Sequence, residues 1–408
     1  MRGAGGGGPG QQHCAPARPM TDRAPGTPIA AIVGVAESSL GVTGMSILEL
    51  QGEASLAALT DAGVSLQDVD GLFTNGAGQF SASQVAEYLG IHPRWTDSTM
   101  AGGASYELFV ARAAESINAG LVNVALVSYG SNQRSARSRR LGGMQDQQQM
   151  PVGQLESPYG PLNPISFYAM AARRHFHEYG TTSEQLAEVA VAAREWALAN
   201  PKAFRHDDGP LTVVDVLASP LVSSPLHVLD CCLVTDGGGA VVLTSIERAR
   251  SRRQPVVSLV GHGEATTHVA MSQVPDLTRT GAVDSGRRAF AMAGLQPNDV
   301  DVAEVYDSFT ITVLLTLEAL GFCGPGEAGA FLADGRARPG GAFPLNTSGG
   351  GLSYCHPGMY GIFLVIEAVR QLRGEAGDRQ VPRAEVALAH GTGGILSTHG
   401  TLVLRRER

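Results

Sequence analysis

Two short segments bring titratable side chains close together in the chain: Glu304-Val305-Tyr306-Asp307-Ser308-Phe309 and Ser353-Tyr354-Cys355-His356-Pro357-Gly358. A phenol titrates near about pH 10 in water, so it is a sluggish base unless dipoles or a cation stabilise the phenolate. It becomes a competent proton shuttle when it faces an alkoxide-like oxygen whose acidity develops during a reaction. His356, set before Pro357-Gly358 at an expected helix start, offers a neutral imidazole that can donate to an oxygen gaining negative charge. The same position also suits a histidine that caps a buried turn. Cys355 is the only thiol in these segments and reads as packing. His390, before Gly391-Thr392-Gly393-Gly394, suits either the orientation of a water or tyrosine or the anchoring of a turn. Asn346 and Asp307 read as supports that hold donors in place. Cys231 and Cys232 read as core.

The elements that must position these groups repeat. A strand Ile29 to Gly34 feeds a glycine turn, and a second start of the same kind stands at Val256 to Gly261. The pattern Ala62-Gly63, then Asp68-Val69-Asp70, returns 231 residues later as Ala293-Gly294, then Asp299-Val300-Asp301. Each half closes on a glycine turn and a short apolar strand, Gly238 to Leu243 and His399 to Leu404. Between opening and closing strands lie helical patterns at Ala104 to Ala119 and Gly361 to Arg373, both ending at a glycine. Strands alternating with such helices give buried sheets covered on both faces. The expected architecture is α/β, a duplicated body layered α/β/α/β/α, with one half at 28–252 and the other at 253–408. Residues from about 134 to 224 break the rhythm and read as an inserted helical loop subdomain, with a helix opening at a capping box from Thr181 to Glu184. The basic run Arg134, Arg137, Arg139 and Arg140 at its start is either a solvated face or a source of phosphate contacts.

The chain has 408 residues, enough for two domains or one duplicated unit, and carries 30 Lys plus Arg against 38 Asp plus Glu. A net charge of −8 argues against a general nucleic-acid or anionic-membrane surface. Its five cysteines show no CxxC pair and no zinc-ligand spacing, which suits a reducing, cytoplasmic setting and a chain without a metal site of its own. Residues 1–27, glycine-rich and without an apolar signal core, read as a disordered extension. No apolar stretch is long enough to insert in a membrane. No GxGxxG opens a βαβ unit, because Gly237-Gly238-Gly239 leads into a strand, so a nicotinamide enzyme is not expected.

Across 28–408 the chain resembles the thiolase superfamily, within it the sterol-carrier-protein-x and lipid-transfer-protein type, and closest in motif the thiolase-like acyl-CoA aldolases. The resemblance rests on Leu229 to Ala240, Glu304 to Phe309, Asn346 to Gly350, Cys355 to Gly358 and Ala389 to Gly394 taken together. It implies the five-layered duplicated fold with a loop subdomain that helps bind CoA. It also implies a nucleophilic cysteine at a buried helix start, but matching Ser98 to Ser105 through Leu108-Phe109 puts Ala101 there. With no thiol, neither Ala101 nor Gly102 can carry an acyl group, and Ser98 or Ser105 would need separate activation. Tyr306 and Ser308 stand where related thiolases tend to have a histidine and a cysteine, and Tyr306 and Tyr354 match tyrosines thought to act in the aldolases. His356 matches the histidine that donates to the thioester oxygen.

The resemblance therefore implies retro-aldol cleavage of a 3-hydroxyacyl-CoA, with a sterol or other bulky ring side chain, to a ketone or aldehyde and a shorter acyl-CoA. Tyr306, Tyr354 and His356 would be catalytic, His390, Asn346 and Asp307 supporting, and the Arg134 to Arg140 cluster would meet CoA phosphates. No cofactor is bound covalently in such a reaction; CoA enters as part of the substrate. Relatives suggest a homodimer, extended to a heterotetramer by a small companion with an OB-fold and a zinc ribbon. The alternatives are acyl transfer or thiolysis by a noncysteine route, and a nonenzymatic lipid-binding role.

Overall fold

The computed structural model describes residues 23–138, 151–162, 164–251 and 254–407. Eleven strands occur among them: β1 Ala30–Glu37, β2 Gly71–Thr74, β3 Trp95–Asp97, β4 Val124–Ser131, β5 Leu221–Ser223, β6 Leu226–His227, β7 Gly237–Thr244, β8 Val257–Thr266, β9 Val302–Val305, β10 Val386–Gly393 and β11 Thr398–Arg406. The helices of the first stretch are α1 Ile47–Ala62, α2 Ser81–Leu89 and α3 Ser105–Asn118. Next come α4 Pro151–Leu155, α5 Ile165–Tyr179, α6 Ser183–Leu198, α7 Val213–Ala218 and α8 Ile246–Arg250. The last are α9 Ala282–Ala293, α10 Thr310–Leu320, α11 Ala328–Leu332 and α12 Gly361–Arg373.

Nine strands make one hydrogen-bonded run in the order β3-β2-β4-β7-β1-β8-β11-β10-β9, and β5 pairs with β6 separately. The run is nearly symmetric about its centre, where Ala30 to Ile32 of β1 meet Val257 to Leu259 of β8. Outward from that seam the orders β1-β7-β4-β2 and β8-β11-β10-β9 use the same sequence of antiparallel, antiparallel and parallel pairs. The repeated residues do the same work in both. Gly63 and Gly294 end α1 and α9 in the left-handed conformation, φ 58° and 64°, which only glycine enters without cost. Asp70 accepts from the backbone of Asn123 and Val124 at the start of β4, and Asp301 from Glu385 and Val386 at the start of β10.

Helices α3 and α12 are buried on nearly all sides and pack against each other, which is why both lack a clean polar face. Helices α1 and α9 cover the outer faces at β1 and β8. There the backbones come very close: a Cβ on Gly34 would lie 2.1 Å from the Ala58 carbonyl oxygen, and one on Gly261 would lie 2.2 Å from that of Ala289.

Two expectations are corrected. The capping box of α6 runs from Thr182 to Gln185, one residue later than the Thr181 to Glu184 spacing suggested, because the Thr181 hydroxyl is instead bonded to His175 Nδ1 at 2.8 Å. The end of the predicted N-terminal extension is packed: Arg23 pairs with Glu115, and the Gly26 amide donates to the Met292 carbonyl. Residues 1–22, and Arg139 and Arg140 of the basic run, lie outside the described residues.

Gly34→Ala and Gly261→Ala should each destabilise the chain by about 1–3 kcal/mol through overpacking against α1 or α9. Urea unfolding of the two variants checks this, with equal losses at the two sites as the expected signature of equivalent contacts.

Candidate active site

Strand β9 delivers Tyr306. Its amide continues the parallel pairing by donating to the His390 carbonyl at 2.9 Å, and its ring turns inward toward the starts of α3 and α12. Gly103, just ahead of α3, makes room for that ring; a Cβ there would lie 2.2 Å from Tyr306 Cε2. The phenol oxygen then meets three groups. His356 Nε2 lies at 3.0 Å, the Tyr360 amide donates to the oxygen at 3.1 Å, and the Gly358 carbonyl is 3.4 Å away. Tyr360 immediately precedes α12, so the oxygen sits at the positive end of that helix, where negative charge is favoured.

The histidine is fixed from the other direction. Its amide donates to the Thr235 hydroxyl and its carbonyl accepts from the Thr235 amide, while its ring stacks on Tyr360 with centroids 6.0 Å apart. Burial lowers its pKa to about 4, so the imidazole is neutral across the physiological range. Burial also pushes the Tyr306 phenol well above its ordinary value, partly opposed by the Tyr360 amide. A neutral imidazole facing a phenol at a helix start can pass or share one proton with it and can donate to a substrate oxygen.

Asp307 and Asn346 hold this frame. Asp307 accepts from the Gly351 and Leu352 amides at 2.7 and 3.2 Å, in the π-helical turn Gly350–Tyr354 that leads to His356. A Cβ on Gly350 would lie 2.1 Å from Asp307 Oδ2, and its φ of +63° independently requires glycine. Asn346 Oδ1 accepts from the Val305 amide at 2.7 Å, directly before Tyr306. Burial raises the Asp307 carboxyl to about 7 despite these donors.

The other proposed site residues are placed differently. Tyr354 is buried with its ring against Phe363, centroids 6.1 Å apart. Burial pushes its phenol well above the ordinary value; Glu37, which adds to the rise, is tightly paired with Arg370. The expected three-residue cluster is thus a pair, Tyr306 and His356, with Tyr360 as its third ring. His390 supports Tyr306 through its backbone; its imidazole binds Thr401 and His399 on the other side of the sheet, so it orients no phenol. Arg134 is committed to the Val234 carbonyl and the Phe204 ring, and Arg137 is exposed. Ser105 and Ser98 accept from the Ala101 and Ala82 amides.

Sequence reasoning missed Tyr360, Tyr129 and Tyr168. The Tyr129 hydroxyl ties down the loop beside the pair, accepting from the Met359 amide at 3.0 Å and donating to the Pro357 carbonyl at 2.6 Å. Tyr168 on α5 packs on Phe309 with centroids 4.5 Å apart, bringing the inserted region against the segment that carries Tyr306. Cys232, read as core, donates its amide to the Ser308 carbonyl, beside the segment that carries Tyr306. Only Tyr360 left a signal, an aromatic directly before a glycine that opens a helix.

A family model described as thiolase C-terminal domain-like matches residues 263–406. A steroid side-chain-cleaving aldolase of Thermomonospora curvata is 38% identical over 400 residues, covering 94% of this chain and 99% of that protein. An acetyl-CoA acetyltransferase of Methanothermobacter thermautotrophicus is 36% identical over 384 residues, covering 90% and 98%. Among solved structures, an Ltp2-ChsH2(DUF35) aldolase superposes with a TM-score of 0.85 at 35% identity, covering 94% of this chain and 99% of that one.

Because the folded pKa of His356 is depressed, its contribution to stability is full above about pH 6.5 and is lost as pH falls toward 4. Wild type should therefore lose up to about 3 kcal/mol more than His356→Gln over that interval. Urea unfolding of both proteins at pH 7 and pH 4.5 measures the difference.

Proposed function

This chain belongs to the thiolase superfamily, in its sterol-carrier-protein and aldolase-like branch, and we propose that it cleaves a 3-hydroxyacyl-CoA by a retro-aldol reaction. The observation that carries the reading is the Tyr306 oxygen, held 3.0 Å from a neutral His356 and at the start of α12, in a chain with Ala101 where a nucleophilic cysteine would stand. The name of the Thermomonospora relative supports a steroid side chain as the bulky part of the substrate.

The reaction needs no covalent intermediate. Tyr306 takes the proton of the β-hydroxyl and passes its own to the neutral His356 Nε2, 3.0 Å away, as the bond between the α- and β-carbons breaks, leaving a ketone or aldehyde. The bonding pair passes into the thioester as an enolate, whose oxygen is stabilised by His356 and by the end of α12. The proton held by His356, returned to the α-carbon, gives the shorter acyl-CoA and restores the neutral pair. Tyr354, lying apart from the pair, shapes the wall and does not exchange the proton. The shared identity with an acetyltransferase keeps acyl transfer as a second reading, which predicts transient acylation of the protein.

The same reading carries the finer architecture: two equivalent halves at 28–252 and 253–408 in five layers, with the insertion at about 134 to 224 covering CoA. The repeated caps and strand orders support it. An open groove of about 500 Å³ between α5 and the β5–β6 turn, lined by Arg173, Arg174 and His177, is the better candidate for CoA phosphates than the Arg134 run. In assembly, β3 leaves one edge of the long sheet unpaired among the described residues, with Trp95 41% exposed, which favours a homodimer through that edge. A companion with an OB-fold and zinc ribbon is proposed beside it. Among the described residues no helix is long and apolar enough to cross a membrane.

Incubation with a β-hydroxyacyl-CoA bearing a tertiary β-carbon, with the companion if one is required, should release a ketone and a shorter acyl-CoA. Tyr306→Phe should lower that rate by about a hundredfold or more without unfolding the chain, and Tyr354→Phe by far less. No cleavage across a panel of such compounds, or an acyl adduct by intact mass, would overturn the reading. Light scattering after size exclusion should give a dimer, with Trp95→Asp giving monomer.

A further inference from the structure

Glu107 is fully buried in the first turn of α3, and among the described residues neither of its carboxyl oxygens has a hydrogen-bond partner. A buried, unpartnered carboxyl is costly to keep, so its place calls for an account. The chain makes room for it with glycines from two other elements. A Cβ on Gly391 of β10 would lie 2.0 Å from Glu107 Oε2, and a Cβ on Gly361, the first residue of α12, would lie 2.4 Å from the same oxygen. A third glycine, Gly400 of β11, lies against the Glu107 Cβ. The carboxyl therefore points at the beginning of the same helix whose preceding residue, Tyr360, donates its amide to the Tyr306 oxygen. Gly103 joins the two places, because its backbone oxygen faces Gly361 and its Cα faces the Tyr306 ring.

We propose that Glu107 is a positioning residue for Tyr306: as a neutral acid it fills the space beneath the first turn of α12 and leaves the amide end of that helix to the Tyr306 oxygen, so that turnover depends on Glu107 keeping its proton. An ionised Glu107 would draw on the same helix end and would repel a phenolate or enolate above it. The inference rests on the assignment of proton transfer to Tyr306.

The groups around the cradle leave Glu107 without a cation. On its own helix Tyr106 is bonded to Asn75, and Arg112 and Glu115 are engaged with Asp97 and with His262 further along. From the strands come Tyr129 and Tyr306; the His390–His399 pair lies across the sheet, its rings bonded to Thr401 and the Leu396 carbonyl. The charged residues of α12 are spent on other partners, Glu367 on Arg379, Arg370 on Glu37 and Arg373 on Asp61. In keeping with that setting, burial raises the Glu107 carboxyl to about 8.

The test is the pH dependence of cleavage by the full chain, with any required companion, between pH 6 and 9.5. Wild-type kcat should fall with one ionisation near pH 8, approaching about tenfold per pH unit beyond it, with little change in KM. Glu107→Gln, neutral at every pH, should lose that fall. An infrared carboxylic-acid band, assigned with glutamate labelled in the carboxyl carbon, should disappear from wild type at the same pH. If Glu107→Gln does not fold, coincidence of the wild-type band and rate titrations supports the proposal, and their separation overturns it. A variant that keeps the alkaline fall would overturn it while leaving the aldolase reading intact. Absence of cleavage by wild type at every pH would overturn the aldolase reading, and this proposal with it.

Discussion

The constraint on which the site depends is that the Tyr306 oxygen is buried and must be satisfied within the protein. Its three neighbours come from one connected stretch, His356, Gly358 and Tyr360, so the loop before α12 can have only one conformation that serves the phenol. That loop is in turn tied to the first half of the sequence. Tyr129 in β4 holds both Pro357 and Met359, and Thr235 holds His356. Displacing that loop would leave buried donors and acceptors unpaired in both halves at once, each at a cost of about 1–3 kcal/mol.

Close backbone approach makes this geometry possible. Gly103 lets the Tyr306 ring lie on the approach to α3, and Gly350 lets Asp307 seat the turn that carries His356. Beneath the site a second buried network, in which Thr347 joins Glu304 to Glu367 and Arg379 closes on Glu367, anchors β9 to α12. Replacing any of these glycines would move an element by the width of a methyl group, which is large on the scale of a hydrogen bond. The Tyr306–His356 pair therefore sits in the buried centre of the molecule, and α5 packs against the same segment through Tyr168 and Phe309.

The fold was legible where the sequence repeats a local device. Gly63 and Gly294, Asp70 and Asp301, and the ends of α3 and α12 could be read because capping and strand entry are decided by neighbours in sequence. Tyr306 and His356 were legible as a pair through their motifs. What was not legible depended on side-chain direction across the fold. Tyr354 lies two residues from His356 but follows α12 toward Phe363 and the Glu37–Arg370 pair, whereas Tyr360, four residues beyond His356, stacks on its ring. His390 has a glycine-rich motif, yet strand alternation sends its imidazole to the opposite face from Tyr306. The burial of Glu107 gave no signal at all, because a glutamate in the first turn of a helix is ordinarily a surface residue.

The central claim is that the reacting oxygen meets Tyr306 and His356 together. A structure with a bound, non-cleavable 3-hydroxyacyl-CoA analogue tests it most directly. The account predicts the β-hydroxyl within hydrogen-bond reach of the Tyr306 oxygen and the thioester oxygen within reach of His356 Nε2. A closed complex with both substrate oxygens more than about 8 Å from these two side chains would contradict it, because direct proton transfer does not span that distance.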